Sequence, residues 1–140
     1  ARPERTVICM NGDGSMLMTL GTLATVAGAG ATNLVLIVVD NGTYEITGSQ
    51  AVPAAGLIDY AAMAEAAGFP RVFRFDDPRD YVDAVPDILT TRGPTLVQVS
   101  VEPGSEGAIG RSDREAARYL RSSLAEWSRA FRNALAADPS

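Results

Sequence analysis

Two almost wholly apolar runs, 6–10 and 33–39, stand one helix length apart. Each ends in a polar, glycine-containing turn: Asn11-Gly12-Asp13-Gly14-Ser15 after the first and Asp40-Asn41-Gly42-Thr43-Tyr44 after the second. That arrangement narrows the fold sharply. Apolar strands joined by a helical crossover belong to a parallel sheet covered by helices on both faces, so both strands are expected to be buried. In open sheets of this kind ligands gather at the carboxyl ends of the strands, where both turns fall.

The stretch 15–29 carries Met16, Leu17, Leu20, Leu23, Ala24 and Ala27 at helical spacing, so 11–14 reads as a strand-to-helix turn. Gly12 and Gly14 give that turn conformational freedom and let a ligand approach the backbone, while Ser15 stands where a helix N-cap is expected. Free N–H groups and the helix dipole favour an anion there. A diphosphate carries more negative charge than one helix end offsets, so a hard divalent cation is the natural bridge between it and Asp13. Magnesium takes about six oxygens: a carboxylate from Asp13, an amide oxygen from Asn41, a backbone carbonyl, phosphate oxygens and water make up such a set.

Gly-Asp-Gly-Ser at 12–15, the following helix and strand, and Asp-Asn-Gly-Thr-Tyr at 40–44 resemble the cofactor fingerprint of thiamine diphosphate enzymes. The phrases Gly-Asp-Gly-Ser-Met-Leu-Met-Thr-Leu-Gly-Thr-Leu-Ala-Thr and Asp-Asn-Gly-Thr-Tyr-Glu-Ile-Thr-Gly-Ser-Gln are most similar to sulfopyruvate and phosphonopyruvate decarboxylases. The resemblance is strong from Thr6 to about Gln50 and looser beyond. It implies the pyrophosphate-binding (PP) module of the thiamine diphosphate fold, starting one strand and one helix later than in relatives. It implies Asp13, the Asn41 side chain and the Thr43 carbonyl as metal ligands. It places Gly12, Gly14, Ser15, Tyr44 and Ile46 around the diphosphate of the coenzyme, and Thr47 as a catalytic-site residue facing the thiazolium. In relatives the turn usually reads Asn-Asn, so Asp40 replaces a non-ligating member of the pair, and Ser49 replaces a glycine common in Thr-Gly-Gly-Gln.

Taken without the resemblance, each feature also has a plainer reading. Asp13 and Asn41-Gly42 serve ordinary turns in many proteins; it is their pairing across one crossover that points to a cofactor. Tyr44 and Thr47 either pack beneath the loop or face the ligand. Glu45 reads as a solvated loop charge with an acid/base role as the alternative, and Cys9 as a small apolar strand residue.

Composition removes several function classes. All 12 basic residues are arginine, the net charge is -5, and no basic cluster suggests nucleic-acid or anionic-membrane binding. Without histidine the chain has no imidazole base and no His-ligated zinc, and its single cysteine excludes an intrachain disulfide or a Cys-only metal cluster. No apolar segment reaches membrane length, and a cytoplasmic location is the default expectation.

The remaining sequence alternates helix and strand: a helix over 57–67 stopped by Gly68, a strand over 71–75, a helix from Asp77-Pro78 towards Thr91 with an irregularity near Pro86, and a buried strand over 95–101. Residues 103–112 read as a connection to a last helix, 113–137, whose Leu120, Leu124, Trp127, Phe131 and Leu135 form an apolar stripe. The whole chain, 1–140, is expected to be one PP domain.

The resemblance further implies a division of labour. The PP domain holds metal and phosphates, while a pyrimidine-binding (PYR) domain, often another chain, supplies a glutamate that activates the coenzyme. The chain is therefore expected to be a subunit or fragment, inactive alone, of a 2-oxo acid decarboxylase that works with a PYR subunit and further copies of itself. An acetolactate synthase-like carboligase and a noncatalytic assembly or regulatory domain of the same fold are the alternatives.

Overall fold

In chain order the strands are β1 (Val7–Gly12), β2 (Leu34–Asp40), β3 (Thr43–Tyr44), β4 (Gln50–Ala51), β5 (Arg71–Phe75) and β6 (Thr95–Ser100). The helices are α1 (Asp13–Met18), α2 (Gly21–Ala29), α3 (Tyr60–Ala67) and α4 (Pro78–Thr90), with a further helix at Leu124–Ala137. This computed structural model describes residues 4–90, 92–104 and 123–137, apart from the side chains of Ile46 and Leu124. It separates into two compact units, 1–108 and 109–140.

The first unit is built on a parallel sheet of order β1-β2-β6-β5, with β3 and β4 forming a small antiparallel ribbon. Alternation along β2 explains the layering. Leu36 and Val38 join Met16, Leu23, Tyr60, Ala64, Phe69 and Leu96 in one core beneath α1, α2 and α3. The intervening Val35 and Ile37 join Val97 and Ile88 of α4 on the other face. Each such Val, Leu, Ile, Met or Phe side chain contributes about 1.5–3 kcal/mol by leaving water. The sheet is thus an α/β parallel sheet covered by helices on both faces, as the strand pattern predicts.

β1 departs from its expected burial. Val7, Ile8 and Met10 are 49%, 51% and 70% exposed, and Cys9 is exposed too. The cause is position: β1 lies at the sheet edge with β2 as its partner, and among the described residues nothing pairs with its outer flank.

The expected helix 15–29 is two helices. The chain leaves helical geometry at Thr19 (φ -132°, ψ 37°), whose hydroxyl donates to the Ser15 carbonyl at 3.0 Å, and resumes at Gly21. Met16, Leu20, Leu23 and Ala27 still pack into one core, which is why the apolar period survives the break. α3 starts at Tyr60, later than expected, because Asp59 caps it by accepting from the Ala62 N–H at 2.9 Å. Gly68 ends it at φ 97°. α4 runs through Pro86 without interruption.

In the second unit, Leu124–Ala137 opens with a capping box: Ser123 N–H donates to Glu126 Oε2 at 2.7 Å and Glu126 N–H to Ser123 Oγ at 3.3 Å. Trp127 and Phe131 are largely exposed. The expected helix start at 113 and most of the connection before it lie outside the described residues. Among the described residues no helix is long and apolar enough to cross a membrane.

Candidate functional site at the strand tips

Register sets the site. Asn11 lies opposite Val38 and Gly12 opposite Val39, so β1 and β2 finish side by side and release Asp13 and Asn41 next to one another. The segments leaving them enclose a cavity of about 400 Å³ lined by Gly12, Asp13, Gly14, Ser15, Met18, Val39, Asn41, Thr43, Tyr44, Glu45 and Thr47. Every residue expected at the site lines this space except Ile46, which lies in the 3₁₀ turn Glu45–Thr47 and whose side chain is outside the description.

Asp13 is buried, 3% exposed. Its Oδ2 accepts from the Gly42 N–H at 2.9 Å, so the two turns are bonded directly to each other. Its backbone carbonyl accepts from the Tyr60 hydroxyl at 2.9 Å. Burial pushes the Asp13 carboxyl above its ordinary value and the negative charge of Asp40 adds to this, while the N–H groups of Gly14 and Gly42 oppose it. Burial likewise lifts the Tyr60 phenol to about 12, assisted by the charges of Asp13 and Asp40. A carboxylate in such surroundings is stabilised by a nearby cation.

Asn41 Oδ1 accepts from the Thr43 N–H at 2.9 Å, and its Nδ2 donates to Glu45 Oε2 at 3.0 Å. An amide oxygen has two lone pairs, so one remains after the Thr43 bond. Thr43 Oγ1 is buried with no hydrogen-bond partner in a residue that lines the cavity, so a polar group from a ligand would meet a need left within the protein. The Thr47 hydroxyl reaches Gln50 Oε1 at 3.0 Å and the Tyr44 carbonyl at 3.3 Å.

The glycine-framed turn works differently from expectation. Gly12 has an ordinary extended conformation (φ -79°) and serves as the N-cap of α1, with open space where a side chain would project. Ser15 is exposed within α1 and makes no capping bond. Gly14 is kept bare by the protein itself: a Cβ there would come within 2.6 Å of Tyr44 Cδ1. Tyr44 therefore packs on the turn and lines the cavity at once.

Two supporting residues were not legible as such. Tyr60 braces Asp13 from 47 positions away. Gln98 donates from Nε2 to Asp40 Oδ2 at 2.9 Å and accepts from the Ala61 N–H at 3.0 Å, fixing the tip of β2 from β6. The available signal was Gln98 itself, a polar side chain in an otherwise apolar strand, buried to 5% exposure.

The donor set is wholly oxygen, and among the described residues no group of three or more His, Cys, Asp or Glu side chains surrounds a metal position. The Asp13 carboxylate with amide and main-chain oxygens suits a hard cation such as magnesium and gives zinc poor ligands. The residues present therefore fit a bridged diphosphate.

Comparison with known proteins identifies the family. The family described as "Thiamine pyrophosphate enzyme, C-terminal TPP binding domain" matches residues 1–99. Phosphonopyruvate decarboxylase of Streptomyces viridochromogenes is 41% identical over 120 residues, 84% of this chain and 30% of that protein. The sulfopyruvate decarboxylase subunit beta of Methanothermobacter thermautotrophicus is 42% identical over 102 residues, covering 73% and 52% respectively. The chain thus spans less than a third of the first relative and about half of the second. Among solved structures, a Mycobacterium smegmatis protein assigned as a thiamin diphosphate-dependent enzyme superposes with a TM-score of 0.58 at 26% identity, over 71% of this chain and 18% of that one. By sequence and fold, the chain belongs to the thiamine pyrophosphate enzyme family, as its C-terminal TPP-binding domain.

Proposed function

We propose that this chain anchors magnesium and thiamine diphosphate in a 2-oxo acid decarboxylase of the phosphonopyruvate and sulfopyruvate type, and that a pyrimidine-binding subunit or domain completes its active site. One observation carries the reading. The cavity at the two strand tips presents the Asp13 carboxylate, the Asn41 amide and Thr43, and no basic side chain lines it among the described residues. A diphosphate held there needs a cation between its oxygens and those of the protein. Asp13, Asn41 Oδ1 and the Thr43 carbonyl are the residues that would hold it, and Gly12, Gly14, Ser15, Tyr44 and Ile46 would surround the phosphates.

When bound, thiamine diphosphate supplies the electron sink that lets a 2-oxo acid lose carbon dioxide and leave as an aldehyde. The chain's own contribution is positioning. The Tyr60 hydroxyl and the Gly42 N–H fix both ends of Asp13, and Gln98 fixes Asp40. Thr47 enters as part of the wall: its hydroxyl proton is held by Gln50 or by the Tyr44 carbonyl, which leaves lone pairs for a ligand.

The name of the beta subunit relative indicates that such activity is shared between chains, consistent with an assembly containing a PYR partner and further copies of this chain. Calorimetry with magnesium and thiamine diphosphate on the assembled protein tests the reading. Asp13→Ala combined with Asn41→Ala is expected to abolish saturable binding; undiminished binding rules the site out.

A further inference from the structure

An asparagine can serve a cation only with its oxygen, yet the two ends of its amide have nearly the same shape. Something must decide which end faces the cavity. On one side of Asn41 stands the Thr43 N–H, a group that can only donate, 2.9 Å from Oδ1. On the other stands the Glu45 carboxylate, with Oε2 accepting from Nδ2 at 3.0 Å. Turning the amide over would set N–H against N–H and oxygen against oxygen, losing both bonds together.

The second Glu45 oxygen has a neighbour of its own. Oε1 lies over Gly104, where a Cβ would come within 2.5 Å of it. Gly104 follows β6 in a segment tied to the tip of β2 by the Val101 N–H, which donates to the Asp40 carbonyl at 2.9 Å. The carboxylate therefore lies between the exits of two neighbouring strands. A negative side chain in a cavity suited to a diphosphate opposes the ligand electrostatically, so its presence calls for another role.

We propose that Glu45 is the positioning residue for Asn41: its carboxylate, seated against Gly104, holds the Asn41 amide with Oδ1 available to the cation and Nδ2 turned away. This rests on the magnesium-diphosphate reading above. It assigns no proton transfer to Glu45.

The test is calorimetric titration of magnesium chloride into the assembled protein with saturating thiamine diphosphate, for the wild type, Glu45→Ala, Glu45→Gln, Gly104→Ala and Asp13→Ala. Glu45→Ala should weaken magnesium roughly 10- to 100-fold, the range for loss of a group that orients a ligand. Glu45→Gln keeps an oxygen that accepts from Asn41 Nδ2 and should stay within about threefold of the wild type. Gly104→Ala displaces the carboxylate without removing it and should fall between these, with a melting temperature close to the wild type.

Equal effects of Glu45→Ala and Glu45→Gln would show that charge alone matters and overturn the proposal. So would wild-type magnesium affinity in Glu45→Ala while Asp13→Ala binds none, a result that leaves the cation site standing. Undiminished binding in Asp13→Ala removes the site itself and the Glu45 role with it.

Discussion

Gly14→Ala separates two reasons for a glycine in the first turn: room for a ligand, and room for Tyr44. The built Cβ lies 2.6 Å from Tyr44 Cδ1 and within 3.1 Å of Cζ, so the ring must retreat by roughly an ångström before an ordinary carbon contact is restored. Overpacking of this kind costs about 1–3 kcal/mol. Tyr44 lines the cavity, so the ring has space to yield on that side. Urea denaturation of the protein without added ligand should therefore show Gly14→Ala destabilised by that amount. Removing the ring should cancel the effect: Tyr44→Ala with Gly14→Ala should be no less stable than Tyr44→Ala by itself, a coupling of more than about 1 kcal/mol. Losses that add within about 0.5 kcal/mol would refute the packing explanation and return Gly14 to a role in ligand approach.

Other substitutions probe the supports. Tyr60→Phe deletes the hydroxyl that donates to the buried Asp13 carbonyl and should lower stability by about 1–2 kcal/mol, read from urea melts, with weaker magnesium binding because the turn loses its brace. Asp59→Ala removes the cap of α3 and should cost about 1 kcal/mol near neutral pH. The Ala62 N–H and the partly exposed Arg74 guanidinium hold the Asp59 carboxyl below its usual 3.8, so its contribution is present above that value and is lost as pH falls through the lower folded value. The gap between variant and wild type should accordingly be full near neutral pH and narrow as pH falls below 3.8, and a gap that does not narrow on acidification would refute the assignment. Asp13 has the opposite sign: its raised folded value makes the ionised form a liability without a cation, relieved as pH falls through that value towards 3.8.

The parts of the fold written in adjacent residues were the parts the sequence disclosed. β5 occupies Arg71–Phe75 as expected, Gly68 ends α3, and the two turns meet at one cavity because a strand, a crossover and a second parallel strand leave them little choice. Periodicity misled where it reports a face and says nothing of backbone continuity. Met16, Leu20, Leu23 and Ala27 share a face across the break at Thr19. Apolar character also misled at β1, since a run of Val7, Ile8, Cys9 and Met10 looks the same whether a neighbour covers it or not. Contacts such as Tyr60 with Asp13 and Gln98 with Asp40 depend on the finished topology, and no local spacing announces them. Glu45 was visible as a loop charge, yet its carboxylate lies over Gly104, 59 positions along the chain.

Among the described residues the outer rim of β1 is unpaired. Main-chain donors and acceptors flanked by Val7, Ile8 and Met10 offer a growth point to any extended peptide of matching character. Material prepared from this polypeptide alone should tend to stack strand on strand as concentration rises, and a monodisperse sample at high concentration would refute that expectation.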